Sequence, residues 1–221
     1  FLQYANSLRV VRATQTSSDN ATADGSGLVI KNTTHYSDNY ADGSASVGLW
    51  AARTAGAWGN NLKVSICPDS TVYQELAKTT IASSNLSVGD TSLDLTSATG
   101  FTVGDIINFS ETGGYEYRIT VISSDTITFV RHPEGVGGLH TVPEVATGQG
   151  SAGVSVRRRW QYYDKVAGAP GTSPYTSDRG GSGDELHVVV VDEDGGITGT
   201  AGEVLEVYDS VSKASDGKTP Q

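Results

Sequence analysis

The sequence predicts an α+β fold that is mainly β, in which a mixed-sheet base domain formed by both chain ends carries an inserted small β-barrel or sandwich. Three observations predict it. Residues 186–191 form a Val-rich apolar run, residues 62–67 alternate between apolar and polar side chains, and several short apolar segments lie between these two. A Val-rich run bounded by turn residues is typical of a strand covered on both faces. Regularly spaced short strands indicate a small sandwich or barrel.

The base domain is assigned to residues 1–78 together with residues 154–221. Three of its strands are predicted from apolar patterning, at residues 8–13, 62–67 and 154–163. Pro68 stops the second of them, because proline cannot donate a ladder hydrogen bond, and residues 71–77 are predicted to form a helical turn. The remaining base strand is the Val-rich run itself.

Residues 14–48 differ from the rest of the base in being polar and rich in Ser, Thr, Asn, Asp and Gly. This composition predicts a long surface excursion, because few apolar side chains are available to bury. Its only apolar cluster, Leu28-Val29-Ile30, predicts one short strand inside the excursion.

The inserted module is assigned to residues 79–153. Turn residues such as Gly100, Gly113-Gly114 and Asp125 separate its short apolar segments. The four candidate strands cover residues 92–95, 105–109, 115–122 and 126–131. The Gly-rich residues 133–153 are predicted to lead the chain out of the module.

Residues 184–206 are predicted to form a strand, an acidic turn and the start of a helix. Asp192-Glu193-Asp194-Gly195-Gly196 supplies glycines for the positive φ angles of a tight turn. From Glu203 onward, apolar residues recur at helical spacing, and Ser215-Asp216-Gly217 is expected to end the helix. The residues with this spacing are Val204, Leu205, Val207, Tyr208 and Val211.

Charge and composition exclude several classes of partner. The chain has 25 acidic and 15 basic residues, a formal net charge of -10, which repels nucleic acid and anionic membranes. No stretch approaches the roughly 20 apolar residues of a membrane span. Cys67 is the only cysteine, so it is predicted to be a buried thiol without a disulfide. The chain begins at Phe1 and contains no methionine, which predicts either a processed chain or, as we favour, a piece of a longer protein.

Three motifs that could carry chemistry fail when their positions are checked. A calcium loop starting at Asp192 would need a ligand at Gly196 and glycine at Ile197. Residues 148–153 fit G-x-G-x-x-G, but strand-like alternation follows where a dinucleotide site needs a helix. The four histidines show no metal-ligand spacing, and His187 is predicted to be a hydrogen-bonded core residue. We therefore predict no catalytic residue, metal or cofactor, and a carboxylate-based hydrolase would require a pocket gathering acids with histidine.

Arg157-Arg158-Arg159, followed by Trp160 and Tyr162-Tyr163, is the one concentrated basic and aromatic feature. It fits a solvated strand face, a protein contact or, least well, nucleic-acid binding. Arginine and aromatic residues are enriched at interface cores, which favours testing a protein contact.

Three separated segments resemble the tail sheath protein of contractile-tailed bacteriophages. They are FLQYANSLRVVRA at residues 1–13, WAARTAGAWGNNLKVSIC at residues 50–67, and DELHVVVVDEDGGITGTAGEVLEVYDSVSKASDGK at residues 184–218. The most specific marks are Gly56-x-Trp58-Gly59-Asn60 and the Val-rich strand that leads into Asp192-x-Asp194-Gly195.

The resemblance implies a structural virion protein without enzyme activity. Sheath subunits stack in six-fold rings around a tail tube and contract when the baseplate triggers them, driving the tube through the host envelope. The implied location is the virion tail, with assembly in the host bacterial cytoplasm. The chain would lack the terminal arms and the C-terminal domain of the subunit, so we expect it to be a monomer in isolation. Possible intersubunit contacts are Arg157, Arg158, Arg159, Asp192, Glu193 and Asp194. The alternative is a virion surface decoration or glycan-binding β-module.

Overall fold

The computed structural model describes residues 18–25, 27–41, 47–109, 114–146 and 148–213. Eleven strands are assigned within them: β1 (Asn20–Thr22), β2 (Ala51–Ala55), β3 (Leu62–Cys67), β4 (Gln74–Thr80), β5 (Ser92–Asp94), β6 (Ile106–Phe109), β7 (Glu116–Ser123), β8 (Thr126–His132), β9 (Ser155–Arg159), β10 (Glu185–Asp192) and β11 (Glu203–Ser212). The helices are short: α1 (Thr33–Asn39), α2 (Ser70–Tyr73), α3 (Pro174–Ser177), and two 3-10 turns at Ala57–Asn61 and Tyr163–Lys165. None of the described helices is long and apolar enough to cross a membrane.

The strands form three sheets, so the predicted class, α+β and mainly β, is confirmed. β1 pairs with β2, the order β11-β10-β3 makes a three-stranded sheet, and the order β4-β9-β6-β7-β8-β5 makes a six-stranded one. The chain divides into two compact units: Phe1–Val64 with Val190–Leu205, and Ser65–Val189 with Glu206–Gln221.

The six-stranded sheet closes on itself, because its first strand continues into a bridge with the end of its last strand. Ile81 bridges Leu95, and the N–H of Thr96 donates to the carbonyl of Thr80 at 2.9 Å. A closed sheet leaves no long free edge between β4 and β5. All strand pairs in it are antiparallel, and β6–β7 and β7–β8 are joined by the short connections that an antiparallel pair allows.

The core of this barrel comes from the inward-facing residues that alternate along its strands. Phe109, Tyr117 and Phe129 are fully buried, and their ring centroids lie 5.2 to 6.5 Å apart. Such ring pairs stabilise a core beyond the effect of buried area alone. The other members are Ile81, Leu93, Leu95, Ala98, Phe101, Ile107, Ile119, Ile127, Leu139, Val154 and Val156.

The predicted strand at residues 154–163 is shorter than expected and belongs to a different sheet. β9 ends at Arg159 and pairs with β6 on one side and β4 on the other, so it is part of the barrel. Trp160 then turns away, and its buried ring donates through Nε1 to Ser65 Oγ at 3.0 Å. Placing residues 154–163 in the base was therefore wrong for this strand, because the barrel needs it to link β4 to β6.

The predicted helix from Glu203 is wrong, because Glu203–Ser212 is strand β11, paired to β10 in the three-stranded sheet. Its valines and tyrosine favour extended backbone, and pairing with β10 supplies the ladder hydrogen bonds that a helix would have made internally. Ser210, at φ 54°, interrupts the regular strand geometry. The expected helix end at residues 215–217 lies outside the described residues.

The polar excursion carries more structure than predicted. β1 and α1 lie within it, and Asn32 caps α1 by accepting a hydrogen bond from the N–H of His35 at 2.8 Å. The predicted strand at Leu28-Val29-Ile30 is reduced to a single bridge between Leu28 and Asn20. The strand predicted at residues 8–13 lies outside the described residues.

Candidate functional site

The acidic turn after β10 is organised by its first residue, Asp192, which is fully buried. Its Oδ2 accepts hydrogen bonds from the N–H of Ile197 at 2.9 Å, from the N–H of Thr198 at 2.6 Å and from the Thr198 hydroxyl at 2.8 Å. Burial raises the pKa of Asp192, but these hydrogen bonds outweigh it and hold the pKa below its ordinary value. Asp192 is thus a fixed part of the turn and not a displayed charge.

Glu193 and Asp194 are the exposed acids of this turn. The Glu193 carboxylate lies 3.4 Å from Lys63 Nζ, and the N–H of Glu193 donates to the carbonyl of Asn61 at 2.7 Å. Asp194 makes no hydrogen bond or ion pair with the described part of the chain. Of the three predicted contact acids, Asp194 therefore has the carboxylate that is available to a partner.

The glycines near this turn are explained by close packing. A Cβ on Gly196 would lie 2.5 Å from the side chain of Asn61, and a Cβ on Gly59 would lie 2.8 Å from the methyl groups of Ala21 and Ala52. Trp58, which directly precedes Gly59, is 60% exposed. The acidic turn thus contacts Asn61, the residue that directly follows the Gly56-x-Trp58-Gly59-Asn60 segment about 130 residues earlier in the chain.

Arg158 lies inside the barrel unit, which is the compact unit Ser65–Val189 with Glu206–Gln221. Only 6% of the Arg158 surface is exposed. Its guanidinium donates to the carbonyl of Gly100 and, at 3.1 Å, to that of Thr71. It lies 3.9 Å from the Asp105 carboxylate, whose pKa is raised by burial in spite of this charge. Arg158 therefore serves the fold, because its hydrogen bonds and its charge are directed to groups of its own unit.

The other two arginines of the triplet lie on the opposite face of β9. Arg159 donates to Glu116 at 2.6 Å, its guanidinium lies 5.0 Å from the centroid of the Tyr163 ring, and the Tyr163 hydroxyl also donates to Glu116, at 2.7 Å. Arg157 is exposed and makes no ion pair within the described residues. The triplet is thus divided into a buried residue, an internally paired residue and a free one.

His187 is fully buried and hydrogen-bonded, as the sequence predicts. Its Nε2 lies 2.9 Å from the carbonyl of Gly168, and its Nδ1 lies 3.0 Å from the backbone nitrogen of Ser210 and 3.0 Å from Asp209 Oδ1. The rings of Tyr73 and Trp160 pack against it, each with its centroid 6.3 Å away. The imidazole is closed off from solvent, so a role in the core accounts for its contacts.

The described residues contain no group of three or more His, Cys, Asp or Glu side chains able to hold a metal ion. At Asp192, Oδ2 is occupied by three N–H and O–H donors. The glycine motif at residues 148–153 is followed directly by β9, and not by the helix that a dinucleotide site requires.

Two buried polar residues of the fold have no signal in the sequence. Asn20 is fully buried, donates to the carbonyl of Ala52 at 2.8 Å and accepts from the N–H of Ile30 at 3.0 Å. Asp184 accepts from the hydroxyls of Ser212 and Ser173, and the Ser212 bond is the main reason for its lowered pKa. Short polar residues of this kind look like ordinary turn residues until their partners are known.

Comparison of the chain with family models, with curated proteins and with solved structures gives no match.

Proposed function

We propose that this chain is part of the sheath subunit of a contractile tail, a structural protein that polymerises around a tail tube and contracts to drive the tube through a host envelope. One observation carries the proposal. The acidic turn after the Val-rich strand, one of the two most specific marks of the sheath resemblance, is hydrogen-bonded through Glu193 to Asn61, the residue that directly follows the other mark, the Gly-x-Trp-Gly-Asn segment. Both segments on which the resemblance rests therefore flank the same pair of neighbouring strands, β3 and β10.

The chemistry of the described residues is compatible with a structural role. Asp192, Arg158 and His187, which could have suggested reactive groups, are all engaged in hydrogen bonds within the fold. Contraction requires rigid bodies that exchange one set of polar contacts for another. A turn fixed at its base by a buried carboxylate and a barrel closed on itself are such rigid bodies.

The proposal is tested by expressing the full open reading frame that contains this chain and imaging the product by negative-stain electron microscopy. Polymerisation into hollow six-fold tubes is the expected result. A matched pair of variants sharpens the test: Gly59→Leu, which forces a side chain against Ala21 and Ala52, should prevent tube formation, whereas Gly168→Leu, where nothing lies within 4 Å, should not. Monodisperse monomers of the unmodified full-length protein, at all salt and protein concentrations, would refute a sheath role.

A further inference from the structure

The outer face of the barrel carries a pocket of about 200 Å³ beside β9. The register of the sheet explains its lining: Arg157 is opposite Asn108 on β6, and Arg159 is opposite both Gln74 on β4 and Ile106 on β6. Leu76, which is 60% exposed, adds an apolar wall. Side chains two residues apart on a strand share one face, so both arginines line the same pocket.

Among the described residues that line this pocket, two arginines face a single carboxylate, that of Glu116. Glu116 is already bound by Arg159 at 2.6 Å and by the Tyr163 hydroxyl at 2.7 Å. The amide nitrogen of Asn108 donates to the carbonyl of Tyr115 at 2.8 Å. Arg157 is left with a guanidinium that has no anionic partner among the described residues. Guanidinium groups bind carboxylates with two parallel hydrogen bonds, so a carboxylate from outside the chain would complement Arg157.

We propose that this pocket receives the Asp194 carboxylate of a second copy of the chain, an inference that rests on the sheath function proposed above. Asp194 is exposed and has no partner in the described part of its own chain, whereas the neighbouring Glu193 forms an exposed ion pair with Lys63 at 3.4 Å. Asp192 fixes the base of the turn through Thr198, so little conformational entropy is lost when the turn docks. Joining one surface to a different surface of the next copy propagates into rings or helical arrays.

A charge swap in the full-length protein tests this contact. Arg157→Asp places two carboxylates together, and Asp194→Arg places two guanidiniums together, so each single variant should raise the critical concentration for tube formation by about tenfold or more. The double variant restores an opposite-charge pair with its sides exchanged and should recover most of the loss. Both side chains are exposed, so circular dichroism of each variant should match that of the unmodified protein.

Two control variants change the same charges elsewhere. Arg179→Asp alters an exposed arginine that stacks on Tyr175, and Glu203→Arg alters an exposed acid at the start of β11. Both should leave the critical concentration within about twofold, because exposed charges outside a contact contribute little.

The outcomes separate this inference from the proposed function. Tubes that form normally in both single variants, or a double variant no better than the worse single one, would overturn the contact while leaving the sheath role intact. Absence of tubes from the unmodified protein would overturn both. A third outcome would assign the pocket to an acidic glycan instead. In that case the unmodified chain binds polygalacturonate, and the Arg157→Asp variant loses this binding but still forms normal tubes.

Discussion

Asp192 Oδ2 lies 2.6 Å from the backbone nitrogen of Thr198 and 2.8 Å from its hydroxyl oxygen. The turn that follows β10 is therefore closed by its own first acid, and the carbonyl of Asp192 also accepts from the N–H of Gly202 at 2.7 Å. The sequence Asp192-Glu193-Asp194 suggests three surface charges, but the Asp192 carboxylate is a structural part of the turn. The next two acids remain exposed on a turn of defined geometry.

The free energy of unfolding should fall in mild acid because the carboxylates of Asp184 and Asp192 become protonated. Hydrogen bonds hold both pKa values below the ordinary value of 3.8, so the unfolded chain binds these protons more readily than the folded chain. Their stabilising contribution is fully present above the ordinary pKa and is lost as the pH falls through it toward the folded pKa. Urea midpoints measured between pH 7 and pH 3 should decrease over this range.

Asp184→Asn is the variant that tests the origin of this pH dependence. It removes one titrating group with a lowered pKa, so its urea midpoint should be lower at pH 7 and should decline less steeply toward pH 3. Asp178→Asn, at an exposed position next to α3, is the control and should follow the unmodified protein. Parallel curves for all three proteins would contradict the assignment of acid lability to the hydrogen-bonded carboxylates.

Arg158→Ala should destabilise the barrel unit by about 3–5 kcal/mol, because removing one partner leaves the buried Asp105 carboxylate without its nearby cation. The carbonyls of Gly100 and Thr71 lose their donors as well. Arg157→Ala is the matched control, because Arg157 is the neighbouring residue on β9 but its side chain lies on the exposed face. This substitution should change the free energy of unfolding by no more than about 0.5 kcal/mol. The measurement is chemical denaturation followed by far-UV circular dichroism; equal effects of the two substitutions would contradict the buried role of Arg158.

The sequence correctly predicted those elements whose apolar pattern fits only one type of secondary structure. The alternation in Leu62–Cys67 and the Val-rich run at Glu185–Asp192 both gave strands, and the turn residues around β5 to β8 marked four strands of the barrel. The pattern in residues 203–212 fits both a helix and a strand. Apolar residues at 204, 207, 208 and 211 would share one face of a helix, whereas valine and tyrosine favour a strand. Pairing with β10 decided between them, and no local signal reports that pairing.

The candidate site was predicted by residue type but not by role. Arg157, Arg158 and Arg159 look equivalent in the sequence, yet alternation along β9 sends Arg158 inward and the other two outward. The strand was recognised, but the side that faces the core depends on which sheet it joins. The roles of Asn20 and Asp184 depend on partners 10 to 32 residues away, which spacing within one element cannot indicate.

Cys67 should react slowly with thiol reagents while the chain is folded. Its side chain is fully buried, and burial raises the pKa of the thiol to about 11, so little of the reactive thiolate forms at pH 8. Native protein treated with 5,5′-dithiobis(2-nitrobenzoic acid) should release no more than about a tenth of the thionitrobenzoate released in 6 M guanidinium within the same few minutes, since burial suppresses both access and ionisation. Complete reaction of native protein at the rate of a free thiol would show that Cys67 is accessible.

Gly138→Ala should destabilise the barrel unit by about 3 kcal/mol, because overpacking against atoms that cannot move forces the backbone to shift. A Cβ on Gly138 would lie 2.1 Å from the carbonyl oxygen of Asp90 and 2.3 Å from that of Gly89. These carbonyls belong to a backbone segment tied to Leu139, whose N–H donates to Asp90 at 2.8 Å and whose carbonyl accepts from Gly89 at 2.9 Å. The segment therefore cannot retreat without losing its own hydrogen bonds.

Gly168→Ala is the matched control for this substitution. No heavy atom lies within 4 Å of its added methyl group and its φ is not in the left-handed region, so reduced freedom of the unfolded chain should leave stability unchanged or raise it by up to about 1 kcal/mol. For a chain of this size, about 3 kcal/mol corresponds to a fall in Tm of roughly 6–12 °C. Thermal unfolding followed by circular dichroism should show that fall for Gly138→Ala alone. Equal Tm values for the two variants would mean that residues 89–90 and 138 do not approach each other closely, which would remove the contact that joins the chain after β8 to the segment before β5.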